Sequence, residues 1–239
     1  MTKSISEQEL IEDDVLIQAM NLQLHKWKAM LASGQERVGW KIGFNTLADQ
    51  ERMHLSSPII GFLTSKSLLE NDGAYKAKAA SKIMLEAEIA ILIGQDVPAG
   101  ADKAQLAAAI EGFAPAIEIV DVARTPHDIT SILEDNLFHE AVILGPVSRE
   151  HPGLAARDVD AKVFINQENV QSGDPSRYPE DITEIVSVVA DTLARQGESL
   201  QAGDWIISGS ITKPVAVQAG DQIEVSLLPL GTLSAEITE

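Results

Sequence analysis

Ile83-Met84-Leu85-Glu86-Ala87-Glu88-Ile89-Ala90-Ile91-Leu92-Ile93 is an apolar run interrupted by two carboxylates two positions apart. Its composition asks for burial, and it ends at Gly94, so it reads as a core strand. Side chains alternate faces along a strand, so Glu86 and Glu88 project from one face together. Two like charges in such a setting need a reason. A bound divalent cation supplies one, because it neutralises and coordinates both groups, whereas burying them unpaired is strongly unfavourable. The competing reading is an edge strand whose two glutamates face water. A third acid, Glu118, stands 32 positions after Glu86, between Ile117 and Ile119 in the short apolar strand expected from Ala114 to Asp121. Chance rarely places three acids on successive core-like strands.

On the N-terminal side, Val15, Leu16, Ala19, Leu22, Trp27 and Leu31 recur at helical spacing from about Glu12 to Ala32, and Ser33-Gly34 is a stop. Arg37 to Phe44 reads as a strand whose two glycines allow close backbone approach. Leu47 to Met53 reads as a short helix. The turn Asn71-Asp72-Gly73 marks a boundary between an N-terminal helical and strand preface (residues 1–75), packed on the main domain, and a catalytic β-rich domain (residues 76–239). Beyond the opening run, Ala101 to Gly112 has helix-forming composition, and Glu140 to Leu144 and Ala161 to Ile165 read as strands. Pro179 to Gln196 reads as a helix with Ile182, Ile185, Val186, Val189 and Leu193 on one face. The last third reads as consecutive strands at Asp204 to Ser208, Pro214 to Val217, Asp221 to Leu228 and Thr232 to Ile237. The expected class is α+β, with few βαβ units. No GxGxxG or Walker loop is present, so nucleotide cofactors are not indicated.

Composition narrows the chemistry. The 239 residues can bury a substantial core. Met1 to Leu16 is polar and acidic, and no apolar run is long enough to cross a bilayer, so the expectation is a soluble, cytoplasmic protein. Without cysteine there is no disulfide, no thiolate ligand and no thiol nucleophile, which disfavours zinc. Eighteen basic against 36 acidic residues give a net charge of −18, which argues against nucleic acid. If the ligand is an anion, a metal or a few placed Lys and Arg residues must hold it.

Glu86, Glu88 and Glu118 form an all-oxygen set suited to Mg²⁺ or Mn²⁺. A cation with open positions chelates a 2-oxo acid through its carboxylate and keto oxygen and stabilises the enolate formed on proton loss. Lys41, at the centre of Val38-Gly39-Trp40-Lys41-Ile42-Gly43-Phe44, is a candidate catalytic residue; its bland alternative is a snorkelling lysine at a strand edge. Ser208, Ser210 and Thr212, in a hydroxyl-rich turn, and Arg124, after the Glu118 strand, are candidates to bind a carboxylate, although such residues are ordinary in turns. Asp135-Asn136, His139 and Arg177 are weaker candidates. His139 in particular has no orienting partner readable from the sequence. No Ser-His-Asp arrangement and no GxSxG are present.

Gly39-Trp40-Lys41-Ile42-Gly43, Leu85-Glu86-Ala87-Glu88-Ile89-Ala90, Pro115-Ala116-Ile117-Glu118-Ile119-Val120-Asp121, Asp135-Asn136, Ala202-Gly203-Asp204, Ser208-Gly209-Ser210-Ile211-Thr212 and Ala219-Gly220-Asp221 follow one another in a telling order. That order resembles the 2-keto-4-pentenoate hydratase / 4-oxalocrotonate decarboxylase family, a branch of the fumarylacetoacetate hydrolase superfamily. The resemblance runs from the first helix to the C-terminus. It implies a mixed, rolled β-sheet with flanking helices and an N-terminal helical region, assembled as a homo-oligomer. It also implies a lyase acting on a small 2-oxo or 2-hydroxydienoic acid, with the family's metal ligands at Glu86, Glu88 and Glu118 and its strand lysine at Lys41. Glutamate at 118, where the hydrolase branch usually has aspartate, favours the hydratase and decarboxylase side. Two departures stand out. Hydratases usually carry an acid in a Pro-Asp-Tyr-Gly-like segment, where this chain has Pro58-Ile59-Ile60-Gly61, and a Trp-Leu-Ala-Asn pattern is replaced by Val188-Val189-Ala190-Asp191. Sequence therefore separates hydratase from decarboxylase, or from a degenerate metal and dicarboxylate binder, poorly.

Overall fold

Two β-sheets enclose the core in the computed structural model, which describes residues 13–123 and 128–239. The first is centred on β5 (Ile83–Ile93) and β6 (Ile110–Asp121), which pair antiparallel along almost their whole length. On one side β5 pairs with β10 (Trp205–Ser210), followed by β1 (Arg37–Gly43) and β2 (Ile59–Thr64). On the other side come β7 (His139–Leu144) and β3 (Leu68–Leu69), while β11 (Val215–Ala216) adds to β5. The sheet is mixed, because β1 runs parallel to β10 and β3 parallel to β7. The second sheet has the order β4 (Gly73–Lys76), β13 (Gly231–Thr238), β12 (Gln222–Leu228), β8 (Asp160–Ile165) and β9 (Glu168–Ser172). Among the described residues five α-helices flank them: α1 (Asp13–Ala32), α2 (Leu47–Met53), α3 (Lys103–Ala109), α4 (Ile129–Glu134) and α5 (Thr183–Arg195). None of the described helices is long and apolar enough to cross a membrane.

Strand alternation positions the site. Leu85, Ala87, Ile89, Ile91 and Ile93 of β5 join Val163, Val225 and Ile237 of the second sheet in the main core. The opposite face of β5 carries Glu86, Glu88 and then Ala90, which belongs to a small separate cluster with Ala114, Ala116 and Ile207. On β1, Trp40 and Ile42 face the main core, and Lys41 lies between them on the other face. Gly39, at φ 150°, leaves the β10 backbone so close that a Cβ would sit 2.0 Å from the Trp205 carbonyl oxygen. This is the close approach that the glycines of β1 foretell. Packing of α1 onto β1 is anchored by Trp27 and Trp40, 5.1 Å apart at their ring centroids, with the Arg37 guanidinium over both rings. Arg37 Nε in turn donates to Asp204 Oδ1 at 2.6 Å.

Two helix boundaries differ from the sequence reading, and several elements are absent from it. The helix expected to Gly112 ends at Ala109: Asp102 and Gln105 form its capping box, and Ile110 is already extended, because β6 continues opposite Ile93. The helix expected from Pro179 begins at Thr183, whose backbone N–H the Asp181 carboxylate accepts at 3.0 Å. The hairpin strand β9 and the short helix α4, capped by Asp128, have no counterpart in the reading.

Candidate metal and substrate site

Glu86 on β5 is directly opposite Glu118 on β6, and Glu88 follows two residues on along the same face. One carboxylate oxygen from each of the three lies within 4.8 Å of the others. Glu88 and Glu118 are wholly inaccessible, and Glu86 is half-buried. Glu118 Oε1 accepts from Lys41 Nζ, and His139 Nδ1 lies 2.6 Å from it. Lys41 Nζ also donates to the Leu137 carbonyl at 3.1 Å. Glu88 Oε2 accepts from the Gly209 N–H at 2.8 Å. Glu88 Oε1 and Glu118 Oε2 are buried with no partner. Leaving such acceptors empty is costly, so the orphan oxygens of Glu88 and Glu118, converging with the Glu86 carboxylate, fit a hard divalent cation.

The electrostatics divide the trio. Burial, and then the Glu118 charge, push Glu86 up to about 7. Burial and the two neighbouring carboxylates raise Glu88 well above the usual range. Burial also disfavours the Glu118 anion, but the Lys41 ammonium and His139 outweigh it and hold Glu118 below its ordinary value. Without an ion, the anion is favoured at Glu118, while Glu86 and Glu88 hold their protons to higher pH than an ordinary carboxylate.

Beside Glu86 opens a cavity of about 420 Å³ whose walls also include Lys41, Ser210, Arg177 and Lys213, while Glu88 and Glu118 are buried behind that wall. Through Ile42, Asn45 and Arg177 it shares a wall with a second cavity of about 670 Å³, flanked by Leu47, Ile185 and Val188. Ser210 lines the first cavity, and its buried hydroxyl has no partner. Ser208 and Thr212 do not line it. Ser208 Oγ instead donates to the Ile89 carbonyl at 2.5 Å and lies 2.7 Å from Tyr178 Oη, so that hydroxyl is spent on joining β10, β5 and the loop before α5. Thr212 is fully buried away from the cavity. Arg124 lies outside the described residues. Asn136 is held by both backbone groups of Phe62, donating at 2.9 Å and accepting at 2.8 Å. Ile59 is buried in the main core and does not line the cavity. His139 and Arg177 rank low in sequence, yet His139 meets Glu118 and Arg177 lines both cavities. The partner of His139 lies 21 positions away, and no local pattern signals it.

Residues 38–238 match the family described as Fumarylacetoacetate (FAA) hydrolase C-terminal, and the chain belongs to that family. Within it, the chain is similar to 2-hydroxyhexa-2,4-dienoate hydratase of Comamonas testosteroni, 31% identical over 229 residues that cover 92% of this chain and 86% of the relative. It is also similar to a 4-oxalocrotonate decarboxylase of Pseudomonas putida, 29% identical with 84% and 78% covered. Among solved structures, 4-oxalocrotonate decarboxylase from Pseudomonas putida G7, complexed with magnesium and adipate, superposes with a TM-score of 0.84 at 28% identity, covering 92% of this chain and 84% of that one. The curated relatives are thus hydratases and decarboxylases, and the sheet architecture expected from the sequence is the one found.

Proposed function

We propose that this protein is a lyase that holds Mg²⁺ or Mn²⁺ with Glu86, Glu88 and Glu118 and adds water to a 2-hydroxy-2,4-dienoate, giving a 4-hydroxy-2-oxo acid. The observation that carries the reading is the convergence of three acids within 4.8 Å beside a buried lysine, with Glu86 and Lys41 lining a cavity. The hydratase names of similar proteins support it, as does the magnesium in a similar structure. A divalent ion bound there would act as a Lewis acid toward the substrate oxygens.

The chain's own groups supply the rest. Lys41 Nζ, cationic beside Glu118, lines the cavity and donates to the substrate 2-oxygen as the 2-hydroxyl proton leaves. That proton passes to water and one is returned from water to the terminal carbon of the diene, giving a conjugated enone. Water then adds its hydroxyl to the carbon two from the keto group and its proton to the one between, for a net gain of one water. Ser210 Oγ, unpartnered, offers a hydrogen bond to the substrate carboxylate. Arg177 and Lys213 provide local positive charge in a protein whose net charge of −18 otherwise repels an anion. Phe44, Val120 and Phe138 form an apolar wall that limits bulk water.

One observation favours decarboxylation as the second reading. Ile59 is buried in the core, so the position where hydratases carry an acid supplies no proton-handling group, and loss of CO₂ requires no water delivery. Purified protein with Mg²⁺ is therefore assayed against 2-hydroxypenta-2,4-dienoate, 2-oxohex-3-enedioate and an acylpyruvate. Loss of dienol absorbance supports the hydratase, and CO₂ release supports the decarboxylase. Inertness toward all three overturns the enzyme reading in favour of a metal and dicarboxylate binder.

A further inference from the structure

His139 has no task in the chemistry above, yet an unusual segment delivers it. Asn136, Leu137 and Phe138 have φ values of 57°, 56° and 62°, three successive non-glycine residues in the left-handed region. Such backbone is disfavoured for residues with a Cβ and persists only where its surroundings over-determine it. Here the surroundings are the two hydrogen bonds from Asn136 to the Phe62 backbone, which also need Gly61: a Cβ there would lie 2.7 Å from Asn136 Oδ1 and 2.9 Å from Lys41 Cγ. The strained turn places two groups on either side of the same ion pair. The Leu137 carbonyl receives Lys41 Nζ at 3.1 Å, and His139 Nδ1 meets Glu118 Oε1 at 2.6 Å. At that distance from a carboxylate oxygen Nδ1 must carry the hydrogen, since two acceptors would repel.

We propose that His139 is a positioning residue: its Nδ1–H, together with Lys41 Nζ, saturates Glu118 Oε1 and fixes the carboxylate so that Oε2 is left free as a preset ligand for the divalent ion. This rests on the metal reading of Glu86, Glu88 and Glu118. The imidazole is suited to the task because it is only 8% exposed and rigid, and Nδ1–H donates whether or not the ring is charged. Outer partners of this kind raise metal affinity by fixing the orientation of a ligand rather than by touching the ion.

The test is titration of Mn²⁺ alone, without substrate, into wild type, His139→Leu, His139→Ala and His139→Asn, followed by calorimetry and by the electron paramagnetic resonance of free Mn²⁺. Leu and Ala remove the donor, and whichever keeps the wild-type circular dichroism is scored. Asn places an amide N–H close to the position of Nδ1. The expected result is a dissociation constant weakened about 10–100-fold in the donor-less variant and held within about threefold of wild type in His139→Asn. Wild-type affinity in a folded donor-less variant overturns the proposal, and so does an Asn variant as weak as the donor-less one, which would assign the residue to packing. Wild type that fails to bind Mn²⁺ sinks the metal reading itself, a separate and recognisable outcome.

Discussion

The floor of the cavity, Glu86 and Lys41 with Glu88 and Glu118 buried behind them, comes from strands, whereas its rim comes from turns and a seven-residue helix. Glu86, Glu88, Glu118 and Lys41 lie on β5, β6 and β1, each paired on both sides within the sheet. Asn45 and Asp49 lie just before and on α2, Arg177 in the turn between β9 and α5, and Lys213 just after β10. A one-residue slip of β5 would send both of its carboxylates into the main core, so the floor is locked by the same register that packs Leu85, Ala87 and Ile89. The rim bears no such constraint and can be rebuilt without disturbing the sheet. Holding an ion and binding the rest of a substrate would then be separable properties of this fold.

The comparison breaks most severely if the floor proves replaceable. Glu88→Gln keeps an acceptor for the Gly209 N–H and nearly the same volume, so the fold should survive. With one anionic ligand removed, metal-dependent turnover should fall by at least about 10³-fold, with Mn²⁺ binding lost in parallel. Retained turnover in the folded variant would reject the site. Lys41→Met separates ion binding from chemistry. It leaves Glu118 with His139 as its remaining partner, and breaking a buried pair costs on the order of 3 kcal/mol. The expected outcome is a kcat about 10²–10⁴-fold lower, continued Mn²⁺ binding, and a lowered melting temperature that recovers in saturating Mg²⁺. A variant that loses ion binding together with kcat would make Lys41 part of the floor's structure rather than of its chemistry.

The same contrast explains what is legible in sequence. Glu86, Glu88, Glu118 and Lys41 stand out because each contradicts apolar neighbours, and burial in a strand leaves such contradictions few explanations. The alternation of β12 and the helical face of α5 follow from period alone, whereas β2, β3, β4 and β9 carry no such pattern. His139 does not stand out, because its meeting with Glu118 depends on the pairing of β6 with β7 across a shift in register near Ile119 and Val120. Ser208 misleads for a related reason. A hydroxyl in a Ser-Gly-Ser turn reads the same whether it faces a ligand or, as here, the Ile89 carbonyl. Helix ends shift by a few residues wherever a capping side chain such as Asp181 wins over composition.

A smaller effect should appear in the pH dependence of the floor. Glu86 titrates near 7 in the folded protein, above its ordinary 4.5, because burial and the Glu118 charge disfavour its anion. Between those values the folded state holds a proton that the unfolded chain has released. The stability this contributes is present at acid pH and is lost as pH rises toward 7, by an amount on the order of 3 kcal/mol. Glu88 acts in the same direction, whereas Glu118, held below its ordinary value, loses stability only at lower pH. Metal-free protein should therefore melt at a lower temperature near about pH 8 than near about pH 5.5, and saturating Mg²⁺ should flatten the difference. A flat profile without metal would mean that the three acids do not share a charge-poor site.

The smallest effect belongs to the rim and tests its independence directly. Arg177 lines both cavities, and its Nε reaches the Ser210 carbonyl only at 3.4 Å, so the guanidinium is weakly engaged within the protein. Its backbone carbonyl, which accepts from Asn45 at 3.3 Å, survives substitution. Arg177→Gln should leave Mn²⁺ affinity and melting temperature near wild type, within about 0.5 kcal/mol in stability. Its cost should fall on substrate binding, because a second carboxylate reaching toward the larger cavity would lose a charge-assisted partner. KM for 2-oxohex-3-enedioate is expected to rise about tenfold, with a much smaller change for 2-hydroxypenta-2,4-dienoate, which has no second carboxylate. An equal rise for both would place Arg177 at the shared carboxylate, over the floor. A fall in Mn²⁺ affinity would show that rim and floor are coupled after all.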